Sequence, residues 1–186
     1  MKKIVLLAIV LLATAGCGKT DKTQGAEGDT LAQTQADGPQ PSSSDLTLTD
    51  TVKAGGQTLI VTLSRETDKS LPTVTDEMGT TFYDNKVNVS VTRGGEQVFT
   101  HSFTKADFEA SLPERDKATG VLLGMAVDKA KSTAQLVVLG AQVGEPGLED
   151  EASTFAISVT PGSEGFTTER VQNQITTRDD MLDEGD

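Results

Sequence analysis

The chain has 186 residues, with 16 Lys and Arg against 28 Asp and Glu and a formal net charge of −12; its isoelectric point is near 4.5. That length fits one domain of ordinary size with terminal segments to spare, and so acidic a chain offers no basic surface for displacing counterions from nucleic-acid phosphates. A single Cys, a single His and no Trp exclude an intrachain disulfide framework and a Cys/His zinc site, and leave His101 as the sole histidine for any triad or cysteine–histidine pair.

Met1-Lys2-Lys3 is a short basic start, and Ile4 to Ala13 is an uninterrupted apolar run. As a helix such a run rises about 15 Å, roughly half of a hydrocarbon core, so it is too short to span a bilayer. It has the length of a signal-peptide apolar region. Thr14-Ala15-Gly16-Cys17 follows. Small residues before a cysteine resemble a bacterial lipobox, although Thr14 stands where Leu is most frequent. The resemblance implies that residues 1–16 are a signal peptide, that the chain is cut before Cys17, and that the thiol and new amino terminus carry acyl groups such as palmitate. The alternative is an ordinary secretory signal cut near Ala13 or Ala15, which leaves a free thiol. Each buried CH₂ contributes about 0.8 kcal/mol, so several acyl chains would make attachment effectively permanent. Gly18 rather than Asp after the cysteine points, by resemblance to the sorting rule of enteric bacteria, to the outer membrane, facing either the periplasm or the surface.

From Gly18 to Ser44 the only large apolar residue is Leu31. Such a segment cannot bury enough apolar surface to offset its ordering entropy. Residues 17–44 are therefore expected to form a lipidated tether, with a coil span of about 30 Å. At the other end, residues 172–186 include Asp179, Asp180, Asp183, Glu184 and Asp186 and read as a solvated acidic tail.

Between residues 45 and 171 the hydrophobic period is two. Leu59, Val61 and Leu63 share one face of Gln57–Arg65, and Val87, Val89 and Val91 share one face of Lys86–Arg93. Gly94-Gly95 supplies the positive φ of a tight hairpin, and Phe99, His101 and Phe103 line one face of the return strand Gln97–Phe103. Further strands are expected at Leu46–Val52, Thr80–Tyr83, Gly120–Val127, Ala134–Val143, Thr154–Thr160 and Gly165–Val171. Ala134–Val143 is apolar on both faces and should lie near a sheet centre. One helix is expected after Thr104 as N-cap, with Phe108 and Leu112 on its buried stripe and Pro113 ending it. The fold class is all-β, mainly antiparallel: a single sandwich or small barrel of about 7–9 strands with one short helix.

The block running from Thr75 through Tyr83-Asp84-Asn85 to Val91, and then from Gln97 through Phe103-Thr104-Lys105 to Phe108, resembles a family of small uncharacterised Gram-negative lipoproteins, domain of unknown function 4738. The likeness spans most of residues 55–165. It implies a lipid anchor and a β domain, and it brings no established activity, cofactor or catalytic residue.

Candidate chemistry is sparse. His101 reads as a core-edge histidine with a hydrogen-bonded ring, because nothing local supplies the nucleophile or carboxylate that a general base needs. Asp84-Asn85 and Asp76-Glu77-Met78-Gly79 read as turns, a catalytic Asp84 being the sharper alternative for the first. Glu145 with Glu149-Asp150-Glu151 forms an acidic loop whose spacing matches no calcium-loop pattern. No catalytic residue, metal or cofactor is therefore assigned, and Cys17 is the one modification site. The expectation is a non-catalytic, membrane-anchored binding or envelope-associated module with a possible protein partner, the alternative being a barrel carrier of a small apolar ligand. A carbohydrate module ranks low without Trp, and a carboxylate-based glycosidase lacks an identifiable acid pair.

Overall fold

A computed structural model describes residues 38–171. The signal segment, Cys17, most of the expected tether and the acidic tail lie outside the described residues. In chain order the strands are β1 (Gln40–Pro41), β2 (Leu46–Ala54), β3 (Gln57–Thr67), β4 (Val74–Thr75), β5 (Thr81–Tyr83), β6 (Asn85–Arg93), β7 (Glu96–Phe103), β8 (Val121–Val127), β9 (Val137–Gly144), β10 (Ser153–Val159) and β11 (Phe166–Val171). One sheet has the order β2-β3-β6-β7 and a second β11-β10-β9-β8, every pair in both being antiparallel. A small third sheet, β1-β5-β4, contains the parallel pair β1–β5. Gln40 and Pro41, expected in the tether, thus pair with Phe82 and Tyr83.

The period of two becomes burial on one face. Along β6 the valines Val87, Val89 and Val91 are at most 1% exposed, while Lys86, Asn88, Ser90 and Thr92 are only half-buried. One core cluster draws Leu59, Val61 and Leu63 from β3, Phe99 and Phe103 from β7, Val137 and Leu139 from β9, and Phe155 and Ile157 from β10. Residues of both four-stranded sheets meet there, so the architecture is a β-sandwich. None of the three sheets closes on itself, and the barrel alternative, with its apolar-ligand carrier, loses its scaffold.

Strand β9 lies inside its sheet, between β8 and β10, as its two apolar faces require. Val138, on the face away from the main core, is 6% exposed, and its backbone is tied to the preceding loop. The Ser132 hydroxyl accepts the Val138 N–H at 2.9 Å and donates to Asp128 O at 2.7 Å. In β8 the strict alternation fails at a bulge between Leu122 and Gly124. The extra residue lets Leu122 and Met125, three apart, both reach the main core, while Leu123 joins a smaller cluster with Val74, Val121 and Ala152 under the third sheet. The β6–β7 hairpin turns on Gly94 and Gly95, with φ of +59° and +89°, the two positive values that a type I′ turn needs.

The expected helix forms and stops before Pro113, and a second helix that was not expected follows it. Lys105–Ser111 is a 3-10 helix, and a separate α1 (Glu114–Thr119) follows Pro113. Proline halts the first piece because Leu112 is forced extended, at ψ 142°. It then opens the second, where its missing N–H costs nothing at a helix start. Phe108 is buried under the first piece, 6.2 Å from the Phe103 ring of one sheet and 4.9 Å from the Phe155 ring of the other. It therefore bridges the layers at one end of the sandwich.

Phe108→Ala should cost about 3–5 kcal/mol of folding free energy, the range for truncating a buried phenylalanine. Met78→Ala at an 82% exposed position should change stability by less than about 0.5 kcal/mol. Urea denaturation of the two variants checks the contrast.

Candidate functional site

Strand β8 is the last strand of its sheet, so one of its edges has no neighbouring strand to satisfy its peptide groups. Side chains from the opposite layer fill that role. Asp84, between β5 and β6, accepts the Leu122 N–H on Oδ1 at 2.8 Å. The same oxygen accepts the Asn85 N–H at 2.7 Å. Asn85, at the start of β6, donates from Nδ2 to Leu122 O at 2.9 Å and to Ser43 Oγ at 3.1 Å. Arg65, on β3, donates from Nη1 to Leu123 O. Asp84 and Asn85 are 3% and 0% exposed, so the turn expected from their residue types is absent. They form instead a buried latch on a foreign strand edge.

Burial pushes the Asp84 carboxyl above the usual carboxylate range, while the Leu122 and Asn85 N–H groups and the charge of Lys105 pull it down. Asp84 also lines a cleft of about 250 Å³ together with Leu71, Pro72, Thr104, Lys105, Glu109 and Lys117. Lys105 is engaged at the end of α1, where its ammonium donates to Gly120 O at 2.8 Å and Lys117 O at 3.1 Å. These carbonyls are ones that a helix C-terminus leaves unsatisfied. Gly120 itself admits no side chain, because a Cβ there would lie 2.5 Å from Asp116 O.

His101 packs edge-on to Phe103 at 4.5 Å and beside Phe166 at 4.6 Å. Its Nε2 lies 3.3 Å from Asp107 Oδ1. A carboxylate does stand beside the histidine, contrary to the local sequence reading, because the 3-10 helix folds Asp107 back over β7. The second oxygen of Asp107 is committed to the helix start, accepting the Thr104 N–H at 2.8 Å, so the pair orients the ring and caps the helix.

One member of the acidic loop is likewise absorbed into structure. Glu151 accepts Arg115 Nη1 at 2.7 Å, and Arg115 Nε donates to Asp116 Oδ1 at 3.1 Å. Asp116, 1% exposed, takes a 2.6 Å bond from the Ser153 hydroxyl on its other oxygen. Among the described residues no three His, Cys, Asp or Glu side chains converge to hold a metal ion. Asp76 makes the expected turn, with Oδ1 accepting the Met78 and Thr80 N–H groups at 3.0 and 2.7 Å.

Several of the residues that perform these tasks fall in the sequence block that carried the family likeness. Asp84 and Asn85 hold β8, Thr104 opens the 3-10 helix, Lys105 closes α1, and Phe103 and Phe108 fill the core between them. A family model, "Domain of unknown function (DUF4738)", matches residues 27–165. The chain belongs to the DUF4738 family. The match starts upstream of the expected β domain and stops immediately before β11. No curated protein matches the chain. Arg65 and Asp116 had no distinguishing signal in this DUF4738 sequence, since each acts on backbone groups or side chains far along the chain, and Lys105 was marked only by the family likeness.

Asp84→Ala should strip the Leu122 and Asn85 N–H groups of their acceptor and cost about 2–6 kcal/mol, at roughly 1–3 kcal/mol per orphaned donor. Asp84→Asn keeps an acceptor oxygen and should cost less. It should also remove a pH dependence. A raised carboxyl adds stability that is fully present below its ordinary value of 3.8 and is lost as pH rises through the raised value. Relative to Asp84→Asn, the parent should therefore be most stable in acid and lose that advantage on going toward neutrality. Denaturation of both proteins across that pH window checks the sign.

Proposed function

We propose that this DUF4738 chain is a lipoprotein, held to a membrane leaflet by acyl groups on Cys17, whose β-sandwich is a non-catalytic binding module of the cell envelope. The observation that carries the reading is that the chain's only cysteine stands where the apolar run Ile4–Ala13 ends in small residues. Acyl chains on that thiol and on the amino group beside it supply enough buried CH₂ for lasting attachment, where one chain alone holds only reversibly. Gly18 favours the outer membrane. The acidic, Gly- and Ser-rich segment after it suits a spacer between lipid and domain.

A binding role is supported by how the polar side chains are used. Asp84, Asp107 and Asp116 each hold backbone or hydroxyl donors, and Lys105 holds carbonyls. A general acid or base needs a free lobe aimed at substrate with a nucleophile or partner in reach. Asp107 and Asp116 have both oxygens engaged within the fold.

Cys17→Ser should shift the protein from the membrane pellet to the soluble envelope fraction. The intact mass of the native product should show an acylated chain starting at Cys17. Retention of the variant in the pellet, or a native product with an unmodified thiol, would overturn the anchor.

A further inference from the structure

A second cleft, of about 460 Å³, is bordered by β8, β9, β10 and the Ser42-Ser43 segment, with Arg65 and Glu149 among its lining residues. Its size is in the range that accommodates small ligands. Arg65 is fixed there by three bonds to neutral carbonyls: Nε and Nη2 donate to Ser44 O at 3.3 and 2.8 Å, and Nη1 donates to Leu123 O. A guanidinium has five N–H donors in a planar fork, so two remain on Nη1 and Nη2. The carbonyls orient the group without neutralising it. Among the described residues no carboxylate forms an ion pair with Arg65, and no cation forms one with Glu149. Glu151, two residues on, is held by Arg115.

The floor of the cleft is low, and at Gly124 it lies beside the guanidinium. A Cβ on Gly140 would meet nothing within 4 Å, and one on Gly124 would come within 3.3 Å of Arg65 Nη1. Leu123 and Met125, 7% and 8% exposed, turn their side chains into the two core clusters, so the apolar surface of the cleft is the shallow floor of Gly124, Ala126 and Gly140. A guanidinium already oriented by protein carbonyls is suited to bind a planar carboxylate, because little rotamer freedom is lost on pairing.

We propose that this cleft binds a small zwitterion of the free amino acid or short peptide class. The ligand carboxylate sits on the remaining Arg65 donors, its ammonium faces Glu149, and an apolar side chain lies over Gly124, Ala126 and Gly140. A fatty acid or inorganic phosphate would present an anion to Arg65 and nothing to Glu149, whose like charge disfavours it. The assignment rests on the binding-module reading and gives that reading a ligand class.

The test is calorimetric titration of the full chain with leucyl-leucine, N-acetyl-leucyl-leucine and leucyl-leucine amide. Saturable binding of the free dipeptide is expected. Each blocked form should bind about tenfold or more weakly, the loss that one charge-assisted contact represents. Gly140→Leu should fill the cleft and abolish binding, and Glu149→Gln should erase the preference over the N-acetyl form. Both variants spare the Arg65 clamp, and unchanged far-ultraviolet circular dichroism confirms their folding. Absence of binding at millimolar dipeptide, equal affinity for the blocked forms, or unchanged affinity in Gly140→Leu would overturn the site. The mass of the recovered dipeptide separates the two readings: a cleaved peptide overturns the non-catalytic module, while an intact and unbound one overturns the zwitterion site alone.

Discussion

The sandwich depends on how the free edge of β8 is satisfied. A strand at the end of a sheet exposes peptide groups that either stay in water or recruit another chain. Here the edge is covered, and the donors and acceptors come from side chains of the opposing layer. Asp84 takes the Leu122 N–H, Asn85 gives to Leu122 O, and Arg65 gives to Leu123 O. The same contacts tie β3 and the start of β6 to β8, so one set of hydrogen bonds protects an edge and sets the registry of two layers. Their cost is the burial of a carboxyl group, visible in the upward push on Asp84. The pairing is incomplete, since Asn85 Oδ1 is buried without a hydrogen-bond partner among the described residues, and a buried polar group left half-paired adds to that cost.

The latch also explains the shape of the second cleft. The bulge in β8 turns Leu123 out of the main core and presents its carbonyl to Arg65. The Ser42–Ser44 segment is drawn in by the Arg65 and Asn85 side chains. A strand edge, a bulge and the segment entering the domain thereby enclose a concavity with a fixed cation at one side. The guanidinium needed to hold β8 is thus also in position to meet a ligand, which is why its residual donors matter.

Charge is arranged locally even though the whole chain is strongly acidic. Lys86 bridges Glu66 and Asp68 at 3.5 and 3.1 Å. Asp68, which also accepts the Ser70 hydroxyl and N–H, is drawn down to about 2. Lys129 reaches Asp50 on the exposed strand β2. Asp50 shares its face with Val52 and Leu48, so a charge turned inward on an outer strand also discourages pairing with another chain.

The sequence alone determined the all-β class, most strand positions, the Gly94-Gly95 hairpin and the interior place of β9, because alternation and turn chemistry are local properties of a few consecutive residues. It also marked the Asp84-Asn85 and Thr104-Lys105 block as distinctive, through family likeness and not through any visible mechanism. Residue types that favour turns suggested a turn at Asp84-Asn85, and a local preference of that kind yields when a distant strand edge offers buried partners. Only the tertiary structure decided the choice of sandwich over barrel, the second helix after Pro113, and the partners of Arg65, Lys105, His101 and Asp116. Those choices depend on contacts between residues as far apart as Arg65 and Leu123, whose energies appear only once two sheets face each other and exclude water from the space between them.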